Sequence, residues 1–278
     1  MDWSKTKTRL IIILLILNIS LGALFFLNKS NRSLYFASKE TLDEVKIRLN
    51  KYGIGLEAEI PKSPDSIKPL IVKYEEESPE EINLKFFDGM GKIQADADIS
   101  KITKDEEEIT IINNRRLLYE NTSQEEGEET FDYETVARQF ISDKGFDSED
   151  LFLVKILDHG DSKTFEFTRK YEKKLVETSY TRVNVARGMV VTMDRLWIEV
   201  IEEDMRNIEI EPAYKALFSL LDKEEYIGDT INSIELCYYF NPEEQGILED
   251  NTRAERGRAI PGWRIGFKSG EALIVDNY

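Results

Sequence analysis

The chain has 278 residues, of which 41% are hydrophobic and 10% aromatic, so it can bury a sizeable core and wholesale disorder is excluded. Its formal net charge of −17 at pH 7 is unevenly placed, because the first 33 residues are basic and the remainder is strongly acidic. Such a domain repels phosphate backbones, which excludes nucleic acid as a main partner. The single cysteine, Cys237, excludes an intramolecular disulfide and a zinc cluster of paired thiolates.

The first element in chain order is an uncharged apolar segment, residues 10–27, which lies between Arg9 and Lys29. At 1.5 Å per residue a helix of this length spans about 27 Å, close to the hydrocarbon thickness of a bilayer. The segment therefore predicts one transmembrane helix, with the N-terminus inside the cell and the acidic domain outside. A cleaved secretory signal is the alternative, but the apolar run continues past the small residues Ser20 and Gly22.

Within this segment, small or hydrogen-bonding residues suggest close approach to a second membrane helix. The candidates are Asn18, Ser20, Gly22 and Ala23. The alternative is that Asn18 bonds to the backbone of its own helix and that Gly22 is incidental. Helix pairing in the membrane is therefore a hypothesis at this stage.

The part outside the membrane begins with a predicted α+β unit, residues 34–120. Apolar residues at spacings of three and four predict a helix over 40–52. Ser78, Pro79 and Glu81 form the pattern of an N-cap, a first helical residue and a capping-box partner, which predicts a short helix that ends near Phe87. Strands are predicted at 54–60, 69–74, 108–112 and 116–120.

Residues 121–130 contain no apolar side chain and predict an acidic linker. The second unit, residues 131–278, opens with a predicted helix over 132–144. A meander of antiparallel strands follows at 152–157, 164–171, 175–185 and 189–200, then a helix from Pro212 and strands at 231–240, 262–267 and 273–275. The predicted fold class is α+β, with residues 1–9 in the cytoplasm and two helix-plus-antiparallel-sheet subdomains outside the cell.

Catalytic chemistry has little support in the sequence. His159, the only histidine, lies in a predicted hairpin turn, and Cys237 lies inside a predicted strand. The acidic segment 96–107 has the spacing of a calcium loop, but Lys101 occupies the position that needs glycine. Common hydrolase, nucleotide and zincin motifs are absent, so no catalytic, cofactor-binding or metal-binding residue is predicted.

Both ends of the chain resemble one family. The opening MDWSKTKT, the segment LCYYFNP at 236–242 and the segment AIPGWRI at 259–265 are similar to YycI (WalI) proteins. The sequence departs from the expected pattern at Gly262, before Trp263, and in the acidic stretch between the units. The resemblance implies a single-pass protein that acts with a YycH-like partner on a YycG/WalK-type sensor histidine kinase, which controls cell-wall metabolism.

These observations favour an accessory regulator that is not an enzyme. The alternatives are an extracellular binding module for peptide or glycan and, with less support, a cell-wall hydrolase. A deep cleft with converging carboxylates or His159 would favour a hydrolase, whereas a long exposed strand edge would favour a binding module. Whether the chain also forms a homodimer stays open.

Overall fold

The computed structural model describes residues 7, 12–23, 39–62, 66–123, 132–146, 150–242 and 256–276. Residues 12–23 are helical and are here called α1. The later helices are short and lie against the sheet. They are α2 (Lys39–Lys51), α3 (Pro79–Phe87), α4 (Tyr133–Asp143) and α5 (Ala213–Ala216), the last followed by two 3-10 turns, Leu217–Asp222 and Glu224–Tyr226.

One sheet of 14 strands dominates the described part of the chain, and β2 and β13 form a separate pair. The strands are β1 (Gly55–Leu56), β2 (Ser66–Ile67), β3 (Leu70–Tyr74), β4 (Lys92–Ala95), β5 (Ile99–Lys104), β6 (Glu107–Ile112), β7 (Arg116–Asn121), β8 (Leu151–Asp158), β9 (Ser162–Tyr171), β10 (Lys174–Ala186), β11 (Met189–Leu196), β12 (Ile198–Glu203), β13 (Ile208–Glu209), β14 (Thr230–Tyr239), β15 (Gly257–Phe267) and β16 (Ala272–Val275).

The long strand β10 is the branch point of this sheet. Its first residues pair in parallel with β14, its last residues pair antiparallel with β11, and β9 runs along its other edge. From β11 the sheet continues through β7, β6 and β5 to β4, and from β14 it continues through β15 and β3 to β12. β8 is added beside β9, and β16 beside β15. The fold is therefore mixed α+β with mostly antiparallel pairing, as the sequence predicted.

Buried apolar side chains form three groups, of which the first two lie between helices and the sheet. The first lies between α3, α4 and strands β5 to β11 and includes Phe87, Ile109 and Phe167. The second packs α2 and the 3-10 turns against β14 and β15 around Trp263. The third lies around Tyr74 and Phe240, where β3, β10 and β14 meet.

Local signals predicted several elements correctly. At the start of α3, Ser78 accepts a hydrogen bond from the Glu81 amide, and Glu81 accepts one from the Ser78 amide, so the capping box is confirmed. The helix from Pro212 was overestimated, since only Ala213–Ala216 is α-helical before the chain tightens into a 3-10 turn. The predicted strand 189–200 is in fact two strands, which end and begin on either side of Trp197.

The proposed division of the chain at residues 121–130 stays a prediction, and residues 124–130 lie outside the described residues. The sheet continues across this division, because β7 pairs with β11 from Thr192↔Glu120 to Leu196↔Arg116. The first apolar core likewise contains side chains from both sides, such as Phe87 and Phe167.

Candidate functional site

The site begins with a bend in β10. Thr178 has φ +71°, a conformation that a β-branched residue rarely adopts, and the pairing of β10 with β9 shifts between Val176 and Thr181. The Thr178 hydroxyl donates a hydrogen bond to the Phe240 carbonyl at 2.6 Å. The Ser179 hydroxyl accepts one from the Ile198 amide at 3.0 Å. Side chains thus satisfy backbone groups where the regular ladder is interrupted.

A cavity of about 670 Å³ opens beside this bend. Its walls come from strands on both branches of the sheet and from the turn before β16. The lining includes the charged or aromatic side chains of Arg116, Lys155, Glu166, Glu177, Tyr180, Arg182, Arg264 and Glu271. A volume of this size matches the range of small-ligand and peptide pockets.

Two of the basic side chains in the wall, Arg116 and Arg182, each pair with a carboxylate on a neighbouring strand. Arg116 donates two hydrogen bonds to Asp194, at 3.0 and 2.8 Å. Arg182 donates one to Glu166 at 2.7 Å, and its guanidinium lies 4.1 Å from the Tyr180 ring centroid. These guanidinium groups are therefore held in fixed positions by a charge partner.

The other two basic side chains pair across the floor and the rim of the cavity. Arg264 Nε lies 3.0 Å from Glu177 Oε1, and neither atom has a hydrogen bond of good geometry. At the rim, Lys155 Nζ lies 3.0 Å from Glu271 Oε1, whose side chain is 66% exposed. The wall is consequently close to charge balance, although the domain as a whole is acidic.

Burial perturbs the titration of Glu177 in this wall. Desolvation raises its pKa above the usual value, the nearby Glu166 adds to this effect, and Arg264 opposes it. Burial also raises the pKa of Tyr180. A carboxyl group with a raised pKa is a common feature of functional clefts, but here the arginine holds the carboxylate in an ion pair.

A buried arginine on β11, Arg195, stabilises the fold outside the cavity. Arg195 is 3% exposed and donates to Glu75 at 3.0 and 2.7 Å and to the Thr181 hydroxyl at 2.7 Å. Its guanidinium also lies 4.5 Å from the Phe146 ring and 4.6 Å from the Trp197 ring. This arginine connects the segment after β3 to the first apolar core.

The predicted membrane segment is described in part. Residues 10, 11 and 24–27 lie outside the described residues, and α1 covers 12–23. Asn18 Nδ2 donates to the Leu14 carbonyl at 3.0 Å, which is the bond to its own helix that the sequence left open. A side chain at Gly22 would meet no atom within 4 Å. Across the part of the chain that is described, no helix is long and apolar enough to cross a membrane.

Ser20 and Ala23 lie on the same helix and are exposed, as are Asn18 and Gly22. The four residues predicted to pair with another membrane helix are therefore together on α1, and none belongs to the cavity lining. Their role in helix pairing stays a prediction.

The residues considered for catalysis are far from forming a reactive centre. His159 is exposed in the turn between β8 and β9, where its amide donates to the Ser162 carbonyl. Cys237 is fully buried in β14, and burial raises the pKa of its thiol. The segment with calcium-loop spacing contains β5, which is extended and paired with β4 and β6, so it cannot wrap around an ion. Within the described ranges, no cluster of His, Cys, Asp and Glu could hold a metal ion.

The cavity was not predicted by the sequence. Its lining residues are spread from Tyr74 to Ile274, and most are polar positions of strands that alternate with buried ones. Such positions normally face water. The one local signal was the run of three polar residues, Glu177–Thr178–Ser179, inside the predicted strand 175–185.

The fold and the cavity define a class of protein, an α+β domain that surrounds a charge-balanced polar cavity and follows an apolar N-terminal helix. Residues 35–278 match the family model described as YycI protein. Because this match covers most of the chain, the protein belongs to the YycI family, as its two ends predicted. Membership suggests a role in regulating the YycG/WalK two-component system.

Two proteins of known structure are similar to this chain. An uncharacterized protein from Eubacterium rectale aligns with a TM-score of 0.50 and 12% identity, over 77% of this chain and 82% of that chain. The C-terminal domain of Bacillus megaterium YpeB aligns with a TM-score of 0.39 and 12% identity, over 73% of this chain and 99% of that chain. The first likeness shows a shared fold alone. Among curated proteins, none matches significantly.

Proposed function

We propose that this protein is a membrane-anchored accessory regulator of a YycG/WalK-type sensor histidine kinase, and that it acts with a YycH-like partner. The family match carries the proposal, since it covers residues 35–278. The regulator is anchored by residues 10–27, with its N-terminus in the cytoplasm and its α+β domain outside the cell. No bond is made or broken in this function.

The N-terminal helix supports the anchoring part of the proposal. In α1 every large apolar side chain from Ile12 to Leu21 is more than half exposed, and these side chains point in all directions around the helix. Exposing so much apolar surface to water is unfavourable, so the helix needs apolar surroundings on every face. Lipid and the membrane helices of the kinase assembly provide such surroundings.

The regulatory mechanism is a difference in affinity for two states of the kinase. A partner changes an equilibrium between two conformations only when it binds one of them more tightly. Contacts of the membrane helix supply this preference through its small and hydrogen-bonding residues Asn18, Ser20, Gly22 and Ala23, of which Asn18 and Gly22 lie one turn apart on one face. Contacts of the outer domain add to it.

Replacing residues 10–27 with a scrambled apolar helix of the same composition tests the proposal. In cells that lack the native copy, transcription of a kinase-dependent gene should lose its regulation, while immunoblots of membranes show normal abundance. A matched control exchanges Leu17 for Ile and should regulate normally. Full regulation by the scrambled chain would contradict the proposal. Self-association of the scrambled and native helices, measured in parallel, separates homodimerisation from kinase binding.

A binding module is the second candidate, and one observation favours it over a hydrolase. β8 is an eight-residue strand, and within the described residues only β9 pairs with it, so that one edge of β8 has no strand partner there. The carboxylates in the cavity have less to offer a hydrolase, because Glu166 and Glu177 each lie against an arginine. His159 is not among the lining residues of the cavity.

A further inference from the structure

The described sheet has several strands with one unpaired edge, and β8 differs from the others. β4 and β16 have four residues each, and β12 carries Glu199, Glu202 and Glu203. Short length and charge are the usual ways in which proteins protect an edge from pairing with another chain. β8 has eight residues, pairs with β9 alone, and carries only Lys155 and Asp158 as charged side chains.

Two hydrogen bonds fix the direction of the backbone groups in β8. The Lys170 amide donates to the Asp150 carbonyl, and the His159 amide donates to the Ser162 carbonyl. In an antiparallel pair, hydrogen-bonded and non-bonded positions alternate. With the register of β8 on β9 and its irregularity at Val154, the amides and carbonyls of Leu151, Leu153, Ile156 and Asp158 point away from β9.

The side chains along this edge are apolar and exposed. Phe152, Ile156 and Leu157 are 42%, 50% and 40% exposed, respectively. Next to them the edge borders the cavity through Val154 and Lys155. An incoming strand would therefore find free backbone partners, apolar side chains and an adjacent pocket in one place.

Charge decides what kind of segment fits. The four basic groups of the cavity wall are each paired with a carboxylate, so a ligand of either sign would have to compete with an existing partner. An uncharged segment does not face this cost. The peptide backbone is uncharged and presents a donor and an acceptor at each residue, which is what the β8 edge requires.

A second copy of this chain fits less well. Lys155 and Asp158 are three residues apart and lie on opposite faces of the strand. When two copies of β8 run antiparallel about a two-fold axis, directly opposed side chains share one face. Lys155 would then never oppose Asp158 of the other copy, so the edge is not complementary to itself.

We propose that the outer edge of β8 binds an extended segment of a partner protein as an added strand. Its side chains are uncharged and lie against Ile156 on one face of the sheet and against Phe152 and Leu157, beside the cavity, on the other. This inference goes beyond the proposed regulatory function, because it does not depend on residues 10–27.

The experiment uses the full-length protein in detergent micelles and a phage-displayed library of twelve-residue peptides. The tightest selected peptide is synthesised with blocked ends, and its affinity is measured by fluorescence anisotropy. Selected peptides should be uncharged in their centre, with apolar residues at consecutive positions, because Ile156 and Leu157 lie on opposite faces of β8. The chain with a scrambled 10–27 segment should bind the same peptide equally well, which separates this test from that of the proposed function.

Ile156→Pro removes one outward amide and places a ring on the edge, and proline is tolerated in edge strands at such positions. We expect it to weaken peptide binding at least about tenfold, since it removes a hydrogen bond and adds a clash. The matched control, Ile156→Thr, keeps the amide and should weaken binding no more than about threefold. Equal affinity of the proline variant and the threonine control would overturn the proposal.

A second measurement does not rely on a variant of the protein. N-methylation of alternate peptide amides should abolish binding in one phase, where the methylated amides face β8, and leave it largely unchanged in the other. Equal tolerance of both phases would overturn the proposal. So would selection of no peptide, binding of a cell-wall glycan fragment in its place, or self-association of the chain that Ile156→Pro abolishes.

Discussion

Lys155 on β8 and Glu271 in the turn before β16 form an ion pair at 3.0 Å, although β9, β10, β14 and β15 separate the two strands in the order of the sheet. The sheet must therefore curl until its β8 edge approaches the turn that precedes β16. This curl encloses the cavity, and the bend of β10 at Thr178 lies in its wall. The cavity therefore results from the way the strands pair, since the sheet branches at β10 and its two branches approach each other at β8 and β16.

The ion pair at the rim should contribute little to stability. Glu271 is mostly exposed, and exposed ion pairs contribute about 0–1 kcal/mol. We expect Lys155→Ala to lower the free energy of unfolding by less than about 1 kcal/mol, measured by urea denaturation. A loss several times larger would mean that the two edges are held together mainly by this contact.

The arginine in the core should behave in the opposite way. Removing Arg195 leaves Glu75 without its charge partner and opens space between Phe146 and Trp197. We expect Arg195→Ala to cost about 3–5 kcal/mol in the free energy of unfolding. Arg195→Lys is the matched comparison, and it should recover only part of this loss because lysine cannot form the forked contact. Equal stability of the lysine variant and the native protein would contradict the assignment.

The bend in β10 allows a test that separates strain from hydrogen bonding. Thr178→Val keeps a branched side chain at φ +71° and removes the donor to the Phe240 carbonyl. Thr178→Gly also removes the donor but relieves about 1–2 kcal/mol of backbone strain. The valine variant should therefore be less stable than the glycine variant in urea unfolding. The reverse order would show that the backbone is not strained at this residue.

The capping box of α3 predicts a pH dependence. Hydrogen bonds from the backbone and hydroxyl of Ser78 lower the pKa of Glu81 below its usual value. A carboxyl group with a lowered pKa in the folded state adds stability above its unfolded pKa of about 4.3, and this stability is lost as the pH falls through the folded pKa. The native protein should be more stable than Glu81→Gln at pH 7, and the difference should shrink below about pH 4. A difference that stays constant from pH 7 to pH 3 would contradict the prediction.

Features of the fold that depend on residues close together in the sequence were predicted correctly. The capping box, the turn at His159 and most of the hairpin strands depend on neighbouring residues, and these predictions are confirmed. β4 and β5 were missed, because the glycines after α3 and the acidic residues of 96–107 are typical of turns and loops. β5 alternates buried and exposed residues, as the period of a half-buried strand requires.

Which strands pair with each other could not be predicted from local sequence patterns. β10 pairs with β14 about 60 residues away, and β3 pairs with both β12 and β15. These pairings depend on loop closure and on the whole core rather than on the residues of one strand. The cavity depends on the same pairings, which is why its charged side chains looked like ordinary exposed positions in the sequence.

The most direct test of the account replaces residues 1–33 with a cleaved secretory signal, so that the outer domain is exported without its anchor. In cells that lack the native protein, and at an exported abundance equal to that of the native chain, kinase-dependent transcription is measured. The account predicts that regulation is lost, because the membrane helix makes the contacts that distinguish the two states of the kinase. Complete restoration of regulation by the released domain would contradict it.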